Sequence, residues 1–333
     1  MFDLISVGDT VIDTFIPLTD AEVISTHNGN ELKLALRYGD KIPVGPSVSM
    51  VAGNAANNAV GAARLKLKTA IYTNVGNDDD GERIKKKFKS EEIDIRFVIK
   101  NEDLPSNHHI VLDFKGERTI LIYHQPWKYH FPDLDPAKWV YLTSLSPVFV
   151  DSDLVEQLMR YLERTGVKLL YNPGTFQIKL GVKKNPKLLS LTEIFIVNLE
   201  EAKIILGHDE GKNISPKKLL KSITDLGPKM AVVTDGGNGS FGFDGEKYYH
   251  LGIFPAKLLE MTGSGDAYAT GVQAGLFHGK DLPEAMRWGA ANGASVVEQI
   301  GPQAGLLTYS QMQEKLKDNA KIVAKELKSS YDS

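Results

Sequence analysis

An α/β fold is predicted: a three-layer, mainly parallel β-sheet flanked by helices, with a small β-sheet lid. Three observations carry it. Short apolar, β-rich runs alternate with amphipathic helical patterns along most of the chain. Two stretches, 14–50 and 96–123, break the alternation. From Gly263 onward the pattern is mostly helical.

Strands are expected over 2–7, 69–75, 139–142, 167–172, 194–197 and 230–234, and helices over 55–65, 81–90, 151–164, 199–206 and 216–226. Strands that alternate with helices are joined by crossovers, which make neighbours parallel and bury both faces of the sheet. The segment 14–50 is rich in turn residues and alternates polar with apolar positions. The segment 96–123 holds His109-Ile110-Val111-Leu112-Asp113-Phe114, a turn at Lys115-Gly116-Glu117, then Arg118-Thr119-Ile120-Leu121-Ile122-Tyr123, a hairpin pattern. Neither segment supplies a crossover helix, so both are expected to leave the main layer and form the lid. An exposed lid edge offers a second copy a strand to pair with, so a homodimer through the lid is one expectation. With no repeat or linker, residues 1–333 read as a single domain.

Composition narrows the chemistry. The 333 residues are 42% hydrophobic and 24% charged, an ordinary globular balance. Lys and Arg number 39 against 42 Asp and Glu, a net charge of −3, so no broad basic field exists to hold nucleic acid or an anionic membrane. Phosphate binding must come from a local site. The absence of cysteine excludes disulfides, thiolate metal sites and a cysteine nucleophile. The N-terminus has neither the basic nor the apolar region of a signal peptide, so the expected location is the cytoplasm.

The sharpest motif is Thr262-Gly263-Ser264-Gly265-Asp266, where a turn of small residues opens a helix near Asp266. Backbone N–H groups at Gly263, Ser264 and Gly265 have no bulky side chain in front of them and sit at a helix N-terminus, which attracts anions. A carboxylate beside an anion site is suited to taking a proton from an attacking hydroxyl. The plainer reading of Asp266 is a helix N-cap. In Ala52-Gly53-Asn54-Ala55-Ala56-Asn57, Gly53 permits close backbone approach, and Asn54 and Asn57 share a helix face and suit a polyol. The alternative is a close-packed helix with an Asn cap. Gly8-Asp9-Thr10-Val11-Ile12-Asp13 places acidic residues off the carboxyl end of the first strand, where ligands bind in open α/β sheets. A turn-stabilising Asp is the plainer reading there.

Together these motifs resemble the ribokinase-like (PfkB) carbohydrate kinase family, over nearly the whole chain and in the family's order. The resemblance implies a ribokinase-like fold, ATP and Mg²⁺, and phosphoryl transfer to a hydroxyl by in-line attack. It implies that Asp266 is the catalytic base, with Gly263, Ser264 and Gly265 as the anion hole. Asp13, Gly53, Asn54 and Asn57 would hold the substrate. Asn198 and Glu201 match the family's Asn-x-x-Glu element, which acts near Mg²⁺ and the phosphates. Thr234, Gly236 and Gly239 match its nucleotide loop, and Asn292 falls near its adenine-side helix. Ala52 replaces the family's first Gly. Glu260 and Met261 replace the Asp-Thr of its monovalent-cation site, so a requirement for that cation stays open. Ser144-Leu145-Ser146-Pro147 lacks the Glu that ribokinase uses on its sugar. A sugar or sugar derivative is the expected acceptor. A nucleoside is the alternative, because the segment between Asp13 and Gly53 is long. A sugar-binding regulator without turnover is the rival from another class.

Other patterns carry less. Gly237-Asn238-Gly239-Ser240-Phe241-Gly242 is a literal G-x-G-x-x-G, but the residues after it read as a hairpin rather than the helix a dinucleotide site needs. His108, His109, His124 and His130 fit no metal-ligand spacing and read as surface or lid histidines. Lys85-Lys86-Lys87 reads as a solvated helix face. Acceptor choice is expected to lie in lid side chains such as Arg118, His124 and Trp127.

Overall fold

The computed structural model describes residues 1–25, 32–209, 211 and 213–327. Residues 26–31 of the expected lid, and 210, 212 and 328–333 of the expected domain, lie outside the described residues. The first half runs β1 (Phe2–Val7), β2 (Val11–Pro17), β3 (Glu22–Ser25), β4 (Leu32–Ala35), β5 (Val48–Ala52), α1 (Asn54–Arg64), β6 (Thr69–Gly76), α2 (Asp79–Ser90), β7 (Val98–Asn101), β8 (His108–Phe114), β9 (Glu117–Tyr123) and β10 (Ala137–Leu142). The second runs α3 (Leu154–Thr165), β11 (Lys168–Tyr171), α4 (Thr175–Leu180), α5 (Pro186–Ser190), β12 (Thr192–Asn198), α6 (Leu199–Leu206), α7 (Pro216–Thr224), β13 (Met230–Thr234), β14 (Ser240–Phe243), β15 (Tyr248–Leu251), α8 (Ser264–Phe277), α9 (Leu282–Val296), α10 (Tyr309–Asp318) and β16 (Lys325–Glu326).

Ten strands form the main sheet, in the order β16-β15-β14-β13-β12-β11-β10-β1-β6-β7. Every neighbouring pair from β7 to β13 is parallel, and β14 to β16 add an antiparallel edge. Side chains alternate across each strand, and both faces are covered. On β12, Phe195 and Val197 join the core under α3, α6 and α7, whereas Ile194 and Ile196 join the core under α8 and α9. Burial on both faces is why these strands are continuous apolar runs. Strand order reverses at β1, which lies between β6 and β10. The crevice beyond the carboxyl ends of β1 and β10 is therefore where a ligand belongs.

Four strands form a separate small sheet in the order β5-β2-β8-β9, with β2 and β8 parallel and the outer pairs antiparallel. The β2–β8 register sets Asp13 opposite His109. Strand β9 ends this sheet and is exposed along its whole length, including Ile120, Leu121 and Ile122. The expected lid boundaries shift in three ways. β7 pairs with β6 in the main sheet, because α2, the helix expected over 81–90, is the crossover that carries the chain there. β3 and β4 form a two-stranded sheet of their own. The small sheet also takes in residues upstream of 14, since β2 starts at Val11. Among the described residues, no helix is long and apolar enough to cross a membrane.

Candidate active site

Helix α8 starts at Ser264, and its N-cap is Gly263, with φ 79° and no side-chain cap bond. A Cβ at Gly263 would lie 2.4 Å from Cβ of Pro302, so the turn admits no larger residue. Asp266 therefore does not cap the helix. It stands in the first turn, 8% exposed, and both carboxylate oxygens look across to α1. Oδ1 accepts from Asn54 Nδ2 at 2.9 Å, and Oδ2 accepts from Asn57 Nδ2 at 2.7 Å. Gln303 Nε2 donates to Asn57 Oδ1 at 3.0 Å, which fixes the orientation of that amide. Below this layer Asn58 Nδ2 donates to Thr270 Oγ1 and Gln273 Oε1, tying α1 to α8 a second time. Burial pushes the Asp266 carboxyl up to about 6; the two Asn donors oppose this, and the negative charge of Asp13 adds to it.

A cavity of about 170 Å³ opens beside this carboxylate. Asn54, Gly265 and Asp266 form one wall, and Ser144, Asn172, Asn198, Glu201 and Thr234 form the other. The second set comes from the carboxyl ends of β10 to β13, which parallel pairing brings level. Asn172 was not singled out in the sequence. It follows β11, accepts from the Tyr141 hydroxyl at 2.9 Å and donates to Ile196 O at 2.8 Å. A polar residue directly off a buried strand was the available signal. Asn198 and Glu201 form a reciprocal capping box on α6: Glu201 N donates to Asn198 Oδ1 (2.8 Å), and Asn198 N donates to Glu201 Oε2 (3.0 Å). Burial raises the Glu201 carboxyl above its ordinary value, and the charges of Asp266 and Glu200 add to the rise. Gly236 and Gly239 lie on the turn after β13 and do not line this cavity.

The small sheet does not line this cavity but brings a further carboxylate near Asp266. Asp13 is 6% exposed and close enough to Asp266 to perturb it. Asp9, at the end of β1, accepts from the Tyr129 hydroxyl at 2.7 and 2.8 Å and from Ser146 N at 2.8 Å. Asp266, held as an acceptor, therefore faces the cavity at a strand switch point, with Asp13 as a second buried carboxylate near it.

A family model for the pfkB family of carbohydrate kinases matches residues 18–308. The chain belongs to the PfkB family. The ATP-dependent 6-phosphofructokinase of Thermoanaerobacterium thermosaccharolyticum is 24% identical over 314 residues, which span 90% of this chain and 89% of that one. Two solved structures share the fold with a TM-score of 0.77: the nucleoside kinase of Methanocaldococcus jannaschii, 19% identical, and the ribokinase of Arabidopsis thaliana complexed with ribose and ATP, 20% identical. Each comparison covers 95% of this chain and 99% of the other. This PfkB protein is accordingly an ATP-dependent phosphotransferase with a hydroxyl acceptor.

Expectations from the sequence change at Asn292 and Ser264 in this PfkB kinase, and Glu260 bears on the monovalent cation that the sequence left open. Asn292 is fully buried; Nδ2 donates to Ala267 O at 2.8 Å and Oδ1 accepts from Leu307 N at 3.0 Å. Its amide is used to brace the first turns of α8, because α9 packs face to face on that helix, and its side chain has no exposed atom to offer a nucleotide. The N–H of Ser264 is tied to Met261 O at 3.2 Å, which takes it out of the expected trio of anion donors. Glu260 accepts from Arg118 Nη1 at 3.2 Å, Thr262 N at 2.6 Å and Gly301 N at 3.1 Å. A guanidinium from β9 already matches that carboxylate, so the residues here do not fit a monovalent cation.

Asn57 was expected to hold substrate, but its amide is spent on Asp266 and Gln303. Its replacement should therefore act through the carboxylate. Asn57→Ala removes a donor that stabilises the ionised form, so the Asp266 carboxyl should rise further above about 6. The acid limb of the kcat/KM profile should move to higher pH by the same shift. A limb that stays in place would show that Asn57 does not act on Asp266.

Proposed function

We propose that this kinase transfers the γ-phosphoryl of ATP to a hydroxyl of a small sugar or sugar derivative, with Asp266 as the general base. One observation carries the reading. Asp266 is a buried carboxylate, relieved of helix capping and held by two amides at the mouth of a cavity. A structural Asp at a helix start has no need of this arrangement. The carboxylate takes the acceptor's proton while the first-turn N–H groups of α8, near Gly265, face the transferring phosphoryl. Asp13, on the small sheet, and Asp9, just past the end of β1, orient the acceptor. Mg²⁺ would be held with the phosphates near Glu201 and Asn198 and would neutralise phosphate charge. The raised Glu201 carboxyl is a group that a cation stabilises. Thr234 and the turn bearing Gly236 and Gly239 lie where the nucleotide would extend.

A nucleoside is the second reading, supported by the length of the segment between β2 and β5. The deciding experiment measures ADP formation by the full chain with Mg²⁺-ATP and a panel of sugars, sugar derivatives and nucleosides. Saturable turnover with one sugar class is expected, with kcat/KM rising as pH passes through about 6, since the base must be ionised. Tight sugar binding without ADP formation would replace the kinase reading with that of a regulator.

A further inference from the structure

We infer that His109 and His124 bind the acceptor and select an uncharged one, refusing a sugar or nucleoside that already carries a phosphate. The inference rests on the kinase reading above and concerns the acceptor side of the same site. Pairing of β2 with β8 sets His109 beside Asp13, with Nδ1 3.4 Å from Asp13 Oδ1. His124 follows β9, and its Nδ1 lies 3.6 Å from Asp9 Oδ2. The two rings meet edge to face with centroids 5.0 Å apart, and His124 packs in the same way on Phe176 at 5.5 Å. Their side chains are 13% and 11% exposed, and that of Asp13 is 9% exposed.

Three atoms in this cluster are buried without a hydrogen-bond partner among the described residues: Asp13 Oδ1, His109 Nε2 and His124 Nδ1. A buried polar atom left unpaired is costly, and native structures rarely keep several together. One acceptor and two ring nitrogens suit the hydroxyls of a polyol, each of which both donates and accepts. The aromatic edges of His124 and Phe176 offer its C–H faces an apolar wall.

Charge decides which polyol. Each imidazole faces its own carboxylate, so the pair brings no unmatched positive charge to the acceptor. Arg118, the guanidinium on β9, is committed to Glu260. Asp266 adds a third carboxylate nearby. A phosphate entering this side would meet Asp9 and Asp13, with His109, His124 and Arg118 each already set against a carboxylate, a costly juxtaposition.

The test uses the full chain with Mg²⁺-ATP and two sets of acceptors: neutral sugars and nucleosides, and their 6- or 5-phosphates. Turnover confined to the neutral set is expected. His109→Phe and His124→Phe keep an aromatic ring but remove the nitrogens. Each should raise the acceptor KM about tenfold, the loss typical of one unpaired hydrogen bond, with the ATP KM unchanged. His109→Gln places an amide nitrogen near Nε2 and should recover most of that loss. Turnover only with phosphorylated acceptors would overturn the inference and leave the kinase reading intact, as would unchanged acceptor KM in both Phe variants. ADP formation with no acceptor in either set would remove the kinase reading and this inference with it. Should a Phe variant not fold, the acceptor panel on the unaltered chain decides.

Discussion

Asp266→Asn is expected to lower kcat by at least ~10², the contribution of a positioned general base, while raising the thermal stability of the protein. The first effect follows because an amide has no basicity at the point where the acceptor hydroxyl must lose its proton. The second follows from linkage. Burial lifts this carboxyl from 3.8 to about 6, so its ionisation costs the folded state about 3 kcal/mol. The sign is fixed by the direction of the shift. Below pH 3.8 the group is protonated in both states and the penalty is absent; it grows as pH rises and is complete above about 6. The variant should therefore melt above the native protein at pH 8, and the two should converge near pH 4. Geometry permits the exchange. Gln303 locks Asn57 as a donor, so the new amide turns its oxygen to Asn57 and its nitrogen to Asn54. Asn54, which is partly exposed, answers by flipping its own amide. A variant with native kcat would remove Asp266 from the mechanism, and a lower melting temperature at pH 8 would show that the carboxylate is a net stabiliser.

Gly53→Ala is expected to destabilise the fold by roughly 2–6 kcal/mol, combining backbone strain and overlap of ~1–3 kcal/mol each. Gly53 is the residue before α1, with φ 100°, a conformation that L side chains rarely adopt. A Cβ there would lie 2.7 Å from Asp9 O and 3.0 Å from Thr10 Cα. Its crowding is thus with the chain's own link between β1 and β2. Relief requires α1 to move away from that link, carrying Asn54 off Asp266 and loosening the Asp9 end of the acceptor site. Melting temperature should fall on the order of 10 °C, and the acceptor KM should rise more than the ATP KM. Gly116→Ala is the control: φ is 81°, but no atom lies within 4 Å of its Cβ, so only strain is added. Equal losses at the two positions would mean that overlap contributes nothing at Gly53.

Much of this architecture was legible because its signals are local. β1 and β13 were read to the residue, and the β8–β9 hairpin nearly so, since burial on both faces or a tight turn writes itself into adjacent positions. The Gly-Ser-Gly-Asp turn was legible for the same reason. What escaped depends on residues far apart in the chain. Asn57 read as a polyol ligand because its partners, Asp266 and Gln303, lie more than two hundred residues away. Asn292 looked exposed to a ligand because nothing local announces the packing of α9 on α8. His109 read as a surface or lid histidine and His124 as a lid side chain bearing on acceptor choice, but no local signal set either against a carboxylate, since only the parallel pairing of β2 with β8 brings His109 to Asp13. β7 was absorbed into the lid because Lys100 and Asn101 interrupt a short apolar run at the sheet's edge.

The separation of 209 positions between Asn57 and Asp266 also imposes an order in time. During synthesis at about 5–20 residues per second, Asp266 follows Asn57 by roughly 10–40 s. Throughout that interval Asn54, Asn57 and Asn58 have only water in place of α8. The strands of the small sheet have all been made by Tyr123. On the proposed reading, a chain that ends between positions 123 and 266 therefore contains Asp9 and Asp13 but lacks the base. With Asp266 as the base, premature termination there should yield an inert protein rather than a partly active kinase, and the last stretch of translation would be the step that confers catalysis.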